Sequence, residues 1–216
     1  MAGKVRVSAF GVSADGFGAG LNQRLDKPFG DNADGIMGWF LPTRTFRSQI
    51  GQDGGETGVD DDFARRSMNG VGCWILGRNM FAASRGPWTD DGWKGWWGEE
   101  PPYHCPTIIL THYPRDPIGM KGGTTFHFQT GGIKRALERA RAFAGGRDVR
   151  IGGGAQTVRQ FLEAGLIDEM HVAVAPTLVG AGSPLWQGLD LPGLGYRISD
   201  SVQGERAQHL TIRRAS

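Results

Sequence analysis

Strand-like and helix-like patterns alternate along most of the chain. Residues 5–12 alternate loosely between apolar and polar positions, as a strand does. Short apolar runs bounded by turn residues predict buried strands at residues 73–76, 107–111, 148–151 and 169–175, with a further strand at 125–128. Gly204 divides residues 195–214 into two final strands, which predicts a C-terminal hairpin.

Helical periodicity lies between these strands. Residues 131–144 carry apolar side chains at helical spacing, with Thr130 as the expected N-cap and Gly145 as the stop. Further helices are expected at residues 60–68 and 155–164, from Asn79 onward, and within 33–43. Strands that alternate with helices predict an α/β domain with a largely parallel sheet and an antiparallel hairpin at its end.

Two long stretches lack a regular pattern. Residues 17–59 are rich in glycine, aspartate and asparagine, and residues 84–106 hold Trp88, Trp93, Trp96 and Trp97. Loops of this length in a compact domain are usually functional or mobile. The tryptophans predict either the lining of a substrate pocket or the packing of a lid or a subunit contact.

Composition narrows the class of protein. The 216 residues include 36 glycines, more than twice the usual share of roughly 7%, which implies many turns and close backbone approaches. The net charge of +2 and the scattered arginines give no reason to expect nucleic acid as a partner. No run approaches ~18 apolar residues, and the first residues lack the apolar core of a signal peptide, so a cytoplasmic protein without a membrane span is expected.

The cysteines and histidines point away from metal chemistry. Cys73 and Cys105 are the two cysteines, too few for a disulfide framework or for a zinc site built from cysteines. The five histidines show no metal-ligand spacing, so no metal is expected.

A triple glycine is the first motif with chemical meaning. Ile151 ends a predicted strand, Gly152, Gly153 and Gly154 follow, and a helix starts at once with Ala155. Glycines let a ligand approach the backbone closely, and the N–H groups of a helix start favour phosphate. The last glycine of the dinucleotide fingerprint is replaced by Thr157. A phosphate site and a tight strand–helix turn both remain open.

Two polar segments also follow predicted strands. Arg78, between Gly77 and Asn79, can hold a phosphate with its planar guanidinium or lie in solvent. Thr111 and His112 can contact a phosphate and stack on a purine, or form a polar turn.

Three consecutive aspartates open the helix predicted at 60–68. A carboxylate at this place is usually an N-cap. In an apolar cleft it could instead act as a general acid whose pKa is raised by burial.

Together these segments resemble the dihydrofolate reductase-like superfamily, and more specifically the reductase domain of bacterial riboflavin biosynthesis, the RibD C-terminal family. The most specific stretch is Ile151-Gly-Gly-Gly-Ala-Gln-Thr157, followed by Phe161-Leu-Glu-Ala-Gly-Leu-Ile-Asp-Glu169 and Ala175-Pro-Thr-Leu-Val-Gly-Ala-Gly-Ser-Pro-Leu185. Leu76-Gly77-Arg78, Ile109-Leu110-Thr111 and Ser13-Ala14-Asp15-Gly16 also match in order and spacing. The resemblance covers nearly the whole chain except residues 17–59 and 84–104.

The resemblance implies a fold and a cofactor. The fold is a three-layer α/β/α sandwich with a mostly parallel central sheet, formed by residues 1–216 as one domain with a long insertion at about 17–59. NADPH lies across the carboxyl ends of the sheet in that superfamily. The implied pyrophosphate site is Gly152, Gly153, Gly154, Ala155, Gln156 and Thr157.

Other cofactor contacts follow from the same resemblance. Gly77, Arg78 and Asn79 would face the pyrophosphate and the 2′-phosphate. Thr111 and His112 would flank the adenosine, and Gly11 would approach the nicotinamide.

The resemblance also implies a reaction. Counting back from Gly77 without gaps, Asp61 falls where reductases of the superfamily carry an acid that assists protonation of the substrate. Phe10 and Ser13 would shape the substrate pocket together with Asp61. The long insertion and the tryptophans would exclude water as a lid does.

The expected function is an NADPH-dependent reductase that transfers hydride to a C=N or C=O bond of a small substrate resembling a pterin or a pyrimidine. Two alternatives remain open. One is a pathway enzyme, either 5-amino-6-(5-phosphoribosylamino)uracil reductase or dihydrofolate reductase. The other is a nucleotide-binding module without catalysis. Many relatives are dimers, so a homodimer is expected.

Overall fold

The structure is a computed structural model that describes residues 3–82, 84–89 and 92–215. Within these ranges the chain forms five α-helices: α1 (Arg44–Gln49), α2 (Val59–Met68), α3 (Arg78–Phe81), α4 (Gly132–Ala144) and α5 (Ala155–Glu163). The strands are β1 (Val5–Ser13), β2 (Phe17–Gly20), β3 (Val71–Gly77), β4 (Pro106–Leu110), β5 (Ile118–Gly119), β6 (Thr125–Gln129), β7 (Asp148–Gly153), β8 (Glu169–Ala175), β9 (Gly182–Pro184), β10 (Tyr196–Gln203) and β11 (Gln208–Arg214).

Nine of the described strands form one mixed sheet in the order β10-β11-β8-β1-β7-β3-β4-β6-β5. The six strands from β8 to β6 in that order run parallel. β11 pairs antiparallel with β8 and β10, and β5 pairs antiparallel with β6. The predicted strands, the largely parallel sheet and the C-terminal hairpin are therefore confirmed.

The sheet carries a layer on each face. On one face α4 and α5 bury Leu137, Phe161 and Leu162 against Val149 and Ile151. On the other face α2 and the segment before it pack Trp39, Phe40 and Phe63 against the sheet. This arrangement confirms the three-layer sandwich. No helix among the described residues has the length and apolar character needed to cross a membrane.

Helix α4 confirms the strongest helical prediction, but its N-terminus differs. The N-cap is Gly131, and no side chain caps the helix, so the expected role of Thr130 is wrong. Thr130 precedes Gly131 and Gly132, and the positive φ of 77° at Gly132 moves the first helical turn one residue further along the chain. Gly145 has the left-handed conformation expected of a stop.

The 17–59 insertion has its own local order. β2 pairs with β9 as a separate two-stranded sheet, and the helix expected within 33–43 is a single 3₁₀ turn at Asp34–Met37. Thr43 then caps α1 by accepting the N–H of Phe46 at 3.1 Å. The apolar residues Ile36, Trp39 and Phe40 are buried in the core although little of the segment is helical.

Candidate functional site

A cleft of about 950 Å³ opens at the carboxyl ends of the parallel strands. The ends of β1, β3, β4 and β7 form one side of it. The insertion contributes Gln23, Phe29, Phe40 and Phe46, and the 84–106 loop contributes Trp97. Ligands of open α/β sheets bind at this edge, so the cleft is the candidate site.

Each glycine of the triplet faces a different neighbour. A Cβ on Gly152 would lie 2.5 Å from Leu76 Cδ2, and one on Gly153 would lie 2.8 Å from the Phe10 ring. A Cβ on Gly154 would meet no heavy atom within 4 Å, and its φ of −74° suits any residue. The peptide bond between Gly153 and Gly154 is cis. Packing explains the first two glycines, whereas Gly154 leaves room for a ligand at the backbone.

Helix α5 starts directly after this opening. Gly154 is its N-cap, and no side chain caps the helix. Ala155, Gln156 and Thr157 all line the cleft. Uncapped N–H groups and the helix dipole favour an anion at this point. Open space at Gly154 and an uncapped helix start together suit a pyrophosphate.

Arg78 lies beside this helix start. The preceding residue, Gly77, leaves room for Thr157 of α5, because a Cβ on Gly77 would lie 2.3 Å from Thr157 Oγ1. The guanidinium of Arg78 stacks on Trp88, with Cζ 3.6 Å from the ring centroid, and Nη1 donates to Gly86 O at 2.7 Å. Its buried Nε has no hydrogen-bond partner among the described residues, and burial lowers the pKa of the guanidinium. Stacking thus holds a cation at the cleft.

The remaining residues expected at the cofactor are also present in the cleft. Asn79 donates from Nδ2 to Gln23 Oε1 at 3.2 Å, which ties the insertion to the cleft wall. Thr111 is buried, and its Oγ1 accepts the N–H of Tyr113 at 3.2 Å. His112 is exposed at the rim. The cleft therefore brings together nearly all the residues predicted at the cofactor; Gly153 faces Phe10 instead.

Strand β1 behaves differently from expectation. Phe10 and Gly11 line the cleft, but a Cβ on Gly11 would lie 2.8 Å from Ile36 O, so the 3₁₀ turn requires this glycine. Ser13 does not line the cleft. Its hydroxyl accepts the N–H of Phe17 at 2.9 Å and donates to Asp15 at 2.5 Å. Ser13 therefore holds the turn after β1, and the substrate contact predicted for it stays a prediction.

Asp61 also lies outside the cleft lining. Its Oδ1 accepts the N–H of Thr45 at 2.7 Å, in the first turn of α1, and the residue is buried. The carboxylate thus joins α2 to α1, whose Phe46 lines the cleft. This face of α2 is turned toward α1, and the role of Asp61 in protonating the substrate stays a prediction. No aspartate or glutamate lines the cleft within the described ranges.

The cleft has a deeper part that sequence reasoning missed. Arg150 and Tyr103 line it together with Trp74 and Met68. Burial raises the pKa of Tyr103 to about 12, so its hydroxyl keeps its proton at neutral pH. One feature of the sequence indicates this part of the cleft: Arg150 is a charged residue in the middle of a predicted buried strand.

A buried chain of hydrogen bonds supports the floor of the cleft. Ala9 lines the cleft with a positive φ of 52°, and its N–H donates to His171 Nδ1 at 3.1 Å. His171 Nε2 therefore carries a proton, which it donates to His209 Nδ1 at 2.9 Å. His209 Nε2 in turn donates to Asp60 Oδ1 at 2.7 Å. Phe63 stacks on both imidazoles, so this chain of hydrogen bonds holds β1 against α2.

The tryptophans of the 84–106 loop lie in two different environments. Trp96 and Trp97 line the cleft. Trp88 and Trp93 pack on the core beneath the loop, and Trp93 Nε1 donates to Phe81 O at 2.7 Å. The loop is thus both a wall of the pocket and a cover for the sheet.

The RibD C-terminal domain family matches residues 6–205 of the chain. The chain belongs to the RibD C-terminal domain family. This membership confirms the resemblance that the triple-glycine region carries. No curated protein matches the chain.

Solved structures agree on the fold. A protein described as a riboflavin biosynthesis protein from Shewanella sp. PV-4 is 21% identical, with a TM-score of 0.57 and 100% of both chains covered. The diaminohydroxyphosphoribosylaminopyrimidine deaminase/5-amino-6-(5-phosphoribosylamino)uracil reductase from Thermotoga maritima is 10% identical, with a TM-score of 0.56. RibD from Acinetobacter baumannii is 16% identical, with a TM-score of 0.54.

The last two proteins are longer than this one. The match covers 99% of this chain but 57% of the Thermotoga protein, and 100% of this chain but 59% of the Acinetobacter protein. At these identities the likeness shows the fold, which this RibD C-terminal family member shares.

Proposed function

We propose that this protein is an NADPH-dependent reductase that acts on a C=N or C=O bond of a small, planar substrate. The observation that carries the proposal is the open backbone at Gly154 beside the uncapped start of α5, at the carboxyl edge of the sheet. Family membership and the reductase name of the Thermotoga relative agree with it.

The residues present suit a dinucleotide phosphate. The N–H groups at the start of α5 would hold the pyrophosphate, and no side chain competes for them. The Arg78 guanidinium, fixed by Trp88, would pair with a 2′-phosphate, which favours NADPH over NADH. When bound, NADPH supplies the hydride for the reduction.

The chain's own residues orient the substrate and hold the proton. Phe10 and the backbone around Ala9 form the floor next to the cofactor residues. The Tyr103 hydroxyl lines the deeper part of the cleft, whose described lining holds no carboxylate, and it is the proposed proton donor. The Arg150 charge, which favours ionisation of this hydroxyl, would stabilise the phenolate that remains. Trp97 and Phe46, with ring centroids 6.2 Å apart, help to exclude water above the site.

A second candidate is favoured by the family match. The substrate would then be 5-amino-6-(5-phosphoribosylamino)uracil, as the name of the Thermotoga relative states for that protein. Turnover of this compound separates the two candidates.

The proposal is tested by following NADPH oxidation at 340 nm against planar ketones, imines and 5-amino-6-(5-phosphoribosylamino)uracil. We expect turnover of at least one compound, with a lower kcat/KM for NADH. Replacing Tyr103 by phenylalanine should lower kcat and leave the NADPH affinity unchanged. NADPH binding without oxidation by any compound would contradict the reductase and favour a nucleotide-binding module.

A further inference from the structure

Arg150 is a buried cation in the wall of the cleft. It lies on β7 between Arg6 of β1 and Trp74 of β3 in the sheet register. It is 5% exposed and lines the deeper part of the cleft. Burial lowers the pKa of the guanidinium to about 9, so it remains charged at neutral pH.

The hydrogen-bond partners of Arg150 are uncharged. Nη1 donates to Ser67 O at 2.8 Å and to Ser67 Oγ at 3.2 Å, and it contacts Met68 Sδ at 3.0 Å. Nη2 donates to Ser8 O at 2.8 Å. Nε is buried without a hydrogen-bond partner, and no ion pair within the described residues includes Arg150.

An uncompensated charge of this kind is unusual. Buried charges are normally paired, because removing them from water costs several kcal/mol. The Trp74 ring lies 4.0 Å from Arg150 Cζ and offsets part of that cost. The acid that would complete the pair is not supplied by the cleft, whose described lining holds no carboxylate.

The surroundings of Arg150 define the shape of a ligand. Trp74 and Tyr103 contact edge to face at 5.0 Å between centroids, and the Trp97 N–H donates to the Tyr103 hydroxyl. Phe46 contacts Trp97 and lines the same cleft. Flat aromatic walls suit a planar ring. Arg150 and Tyr103 line this part of the cleft, and both side chains carry hydrogen-bond donors.

We infer that the deeper part of the cleft is an oxyanion subsite, which takes a planar compound bearing a carboxylate or an enolate oxygen. The inference rests on the proposed function in naming this compound as the substrate of the reductase. A cationic or amidine-type ring, which needs a carboxylate acceptor, is disfavoured by the same donors. This distinguishes the substrate from a 2-aminopyrimidine such as that of dihydrofolate.

A pair of probes tests the subsite without cofactor or turnover. The probes are 6-fluoro-2-naphthoate and its neutral amide, titrated against the protein by fluorine NMR. We expect the acid to bind at least about tenfold more tightly than the amide. Equal affinities, or no binding of either probe up to about 10 mM, would overturn the inference.

Variants locate the preference. Arg150→Met should abolish the preference for the acid and leave binding of the amide unchanged, and Arg150→Lys should retain part of it. Arg78→Ala should keep the preference, because that cation lies at the cofactor end of the cleft. Arg139→Met, which removes a guanidinium that stacks on Phe143 outside the cleft, controls for net charge.

Folding and cofactor binding are read separately. Arg150 joins the end of α2 to β1, so the thermal unfolding of each variant is measured alongside its binding. The comparison of acid with amide in the unchanged protein does not depend on any variant. A preference that survives in Arg150→Met, or disappears in Arg78→Ala, assigns the anion to another site and overturns the inference. Failure of NADPH to bind would instead contradict the proposed function.

Discussion

At the scale of single residues, the three glycines of one motif serve different purposes. Gly152 and Gly153 are required by the packing of Leu76 and Phe10, whereas Gly154 faces open space. The sequence shows that all three positions lack a side chain. It does not show whether a Cβ at each position would meet packed side chains or open space, because the neighbouring atoms come from residues far away in the sequence.

The glycines provide a matched pair of variants. Gly154→Ala should change the free energy of unfolding by less than about 1 kcal/mol, because the added methyl meets nothing and only the N-cap preference is lost. It should nevertheless weaken NADPH binding about tenfold or more, because the methyl occupies the approach to the start of α5. Calorimetric titration and chemical denaturation measure the two effects.

The control is Gly152→Ala. Its methyl would lie 2.5 Å from Leu76 Cδ2, so the free energy of unfolding should fall by about 1–3 kcal/mol. If Gly154→Ala bound NADPH as the unchanged protein does, the pyrophosphate would lie elsewhere.

Arg150 and Asp61 show how little the sequence reveals about the surroundings of a single charged side chain. Asp61 matched a family position by counting, but its carboxylate accepts the N–H of Thr45 instead of lining the cleft. Arg150 stands inside an apolar strand pattern, where a charge without a partner is costly. Its importance emerges only when the strands beside it reveal Trp74 and the uncharged acceptors.

At the scale of elements, a hydrogen-bonded chain joins β1, β8, β11 and α2. Ala9, His171, His209 and Asp60 follow one another at hydrogen-bond distance. None of these links joins residues close in sequence, and the order of the strands decides that His171 and His209 meet. The sequence therefore predicted the elements correctly but not this connection between them.

The two histidines of this hydrogen-bonded chain predict how the stability of the fold depends on pH. Burial lowers the pKa of His171 to about 3, with further repulsion from His209, Arg150 and Arg66. Burial also lowers the pKa of His209, although Asp60 and Glu205 oppose this. The unfolded chain binds protons below about pH 6.5 and the folded chain does not, so stability is complete above that pH and falls below it.

Chemical denaturation between pH 8 and pH 5 measures the effect. We expect the free energy of unfolding to fall below about pH 6.5 by up to about 1.4 kcal/mol per pH unit for His171. His171→Asn, whose side-chain oxygen can still accept the N–H of Ala9, should flatten that slope. An unchanged slope in this variant would show that other groups control the acid sensitivity.

At the scale of the whole molecule, the fold was the most predictable property. The periodic segments predicted the strands and helices of the sandwich. The motif around Gly152 indicated the family, which the match over residues 6–205 confirms. The two long stretches were less predictable. Residues 17–59 contribute β2, a 3₁₀ turn and α1, held by contacts with β9, β1 and α2 that no local pattern reveals.

The two parts of the cleft are built by different segments of the molecule. The sheet edge supplies the residues expected for the dinucleotide, and the insertion and the tryptophan loop close the deeper part around Arg150. Variation in these two segments would change the substrate while the cofactor residues stay in place.

A calorimetric titration of the protein with NADPH and, in parallel, with NADH tests whether the cleft binds the cofactor. We predict saturable binding of NADPH at about micromolar Kd, with NADH at least about tenfold weaker and with Arg78→Ala removing most of that difference. The absence of binding of either nucleotide up to about 1 mM, roughly −4 kcal/mol, would contradict the central claim that the cleft is a cofactor site.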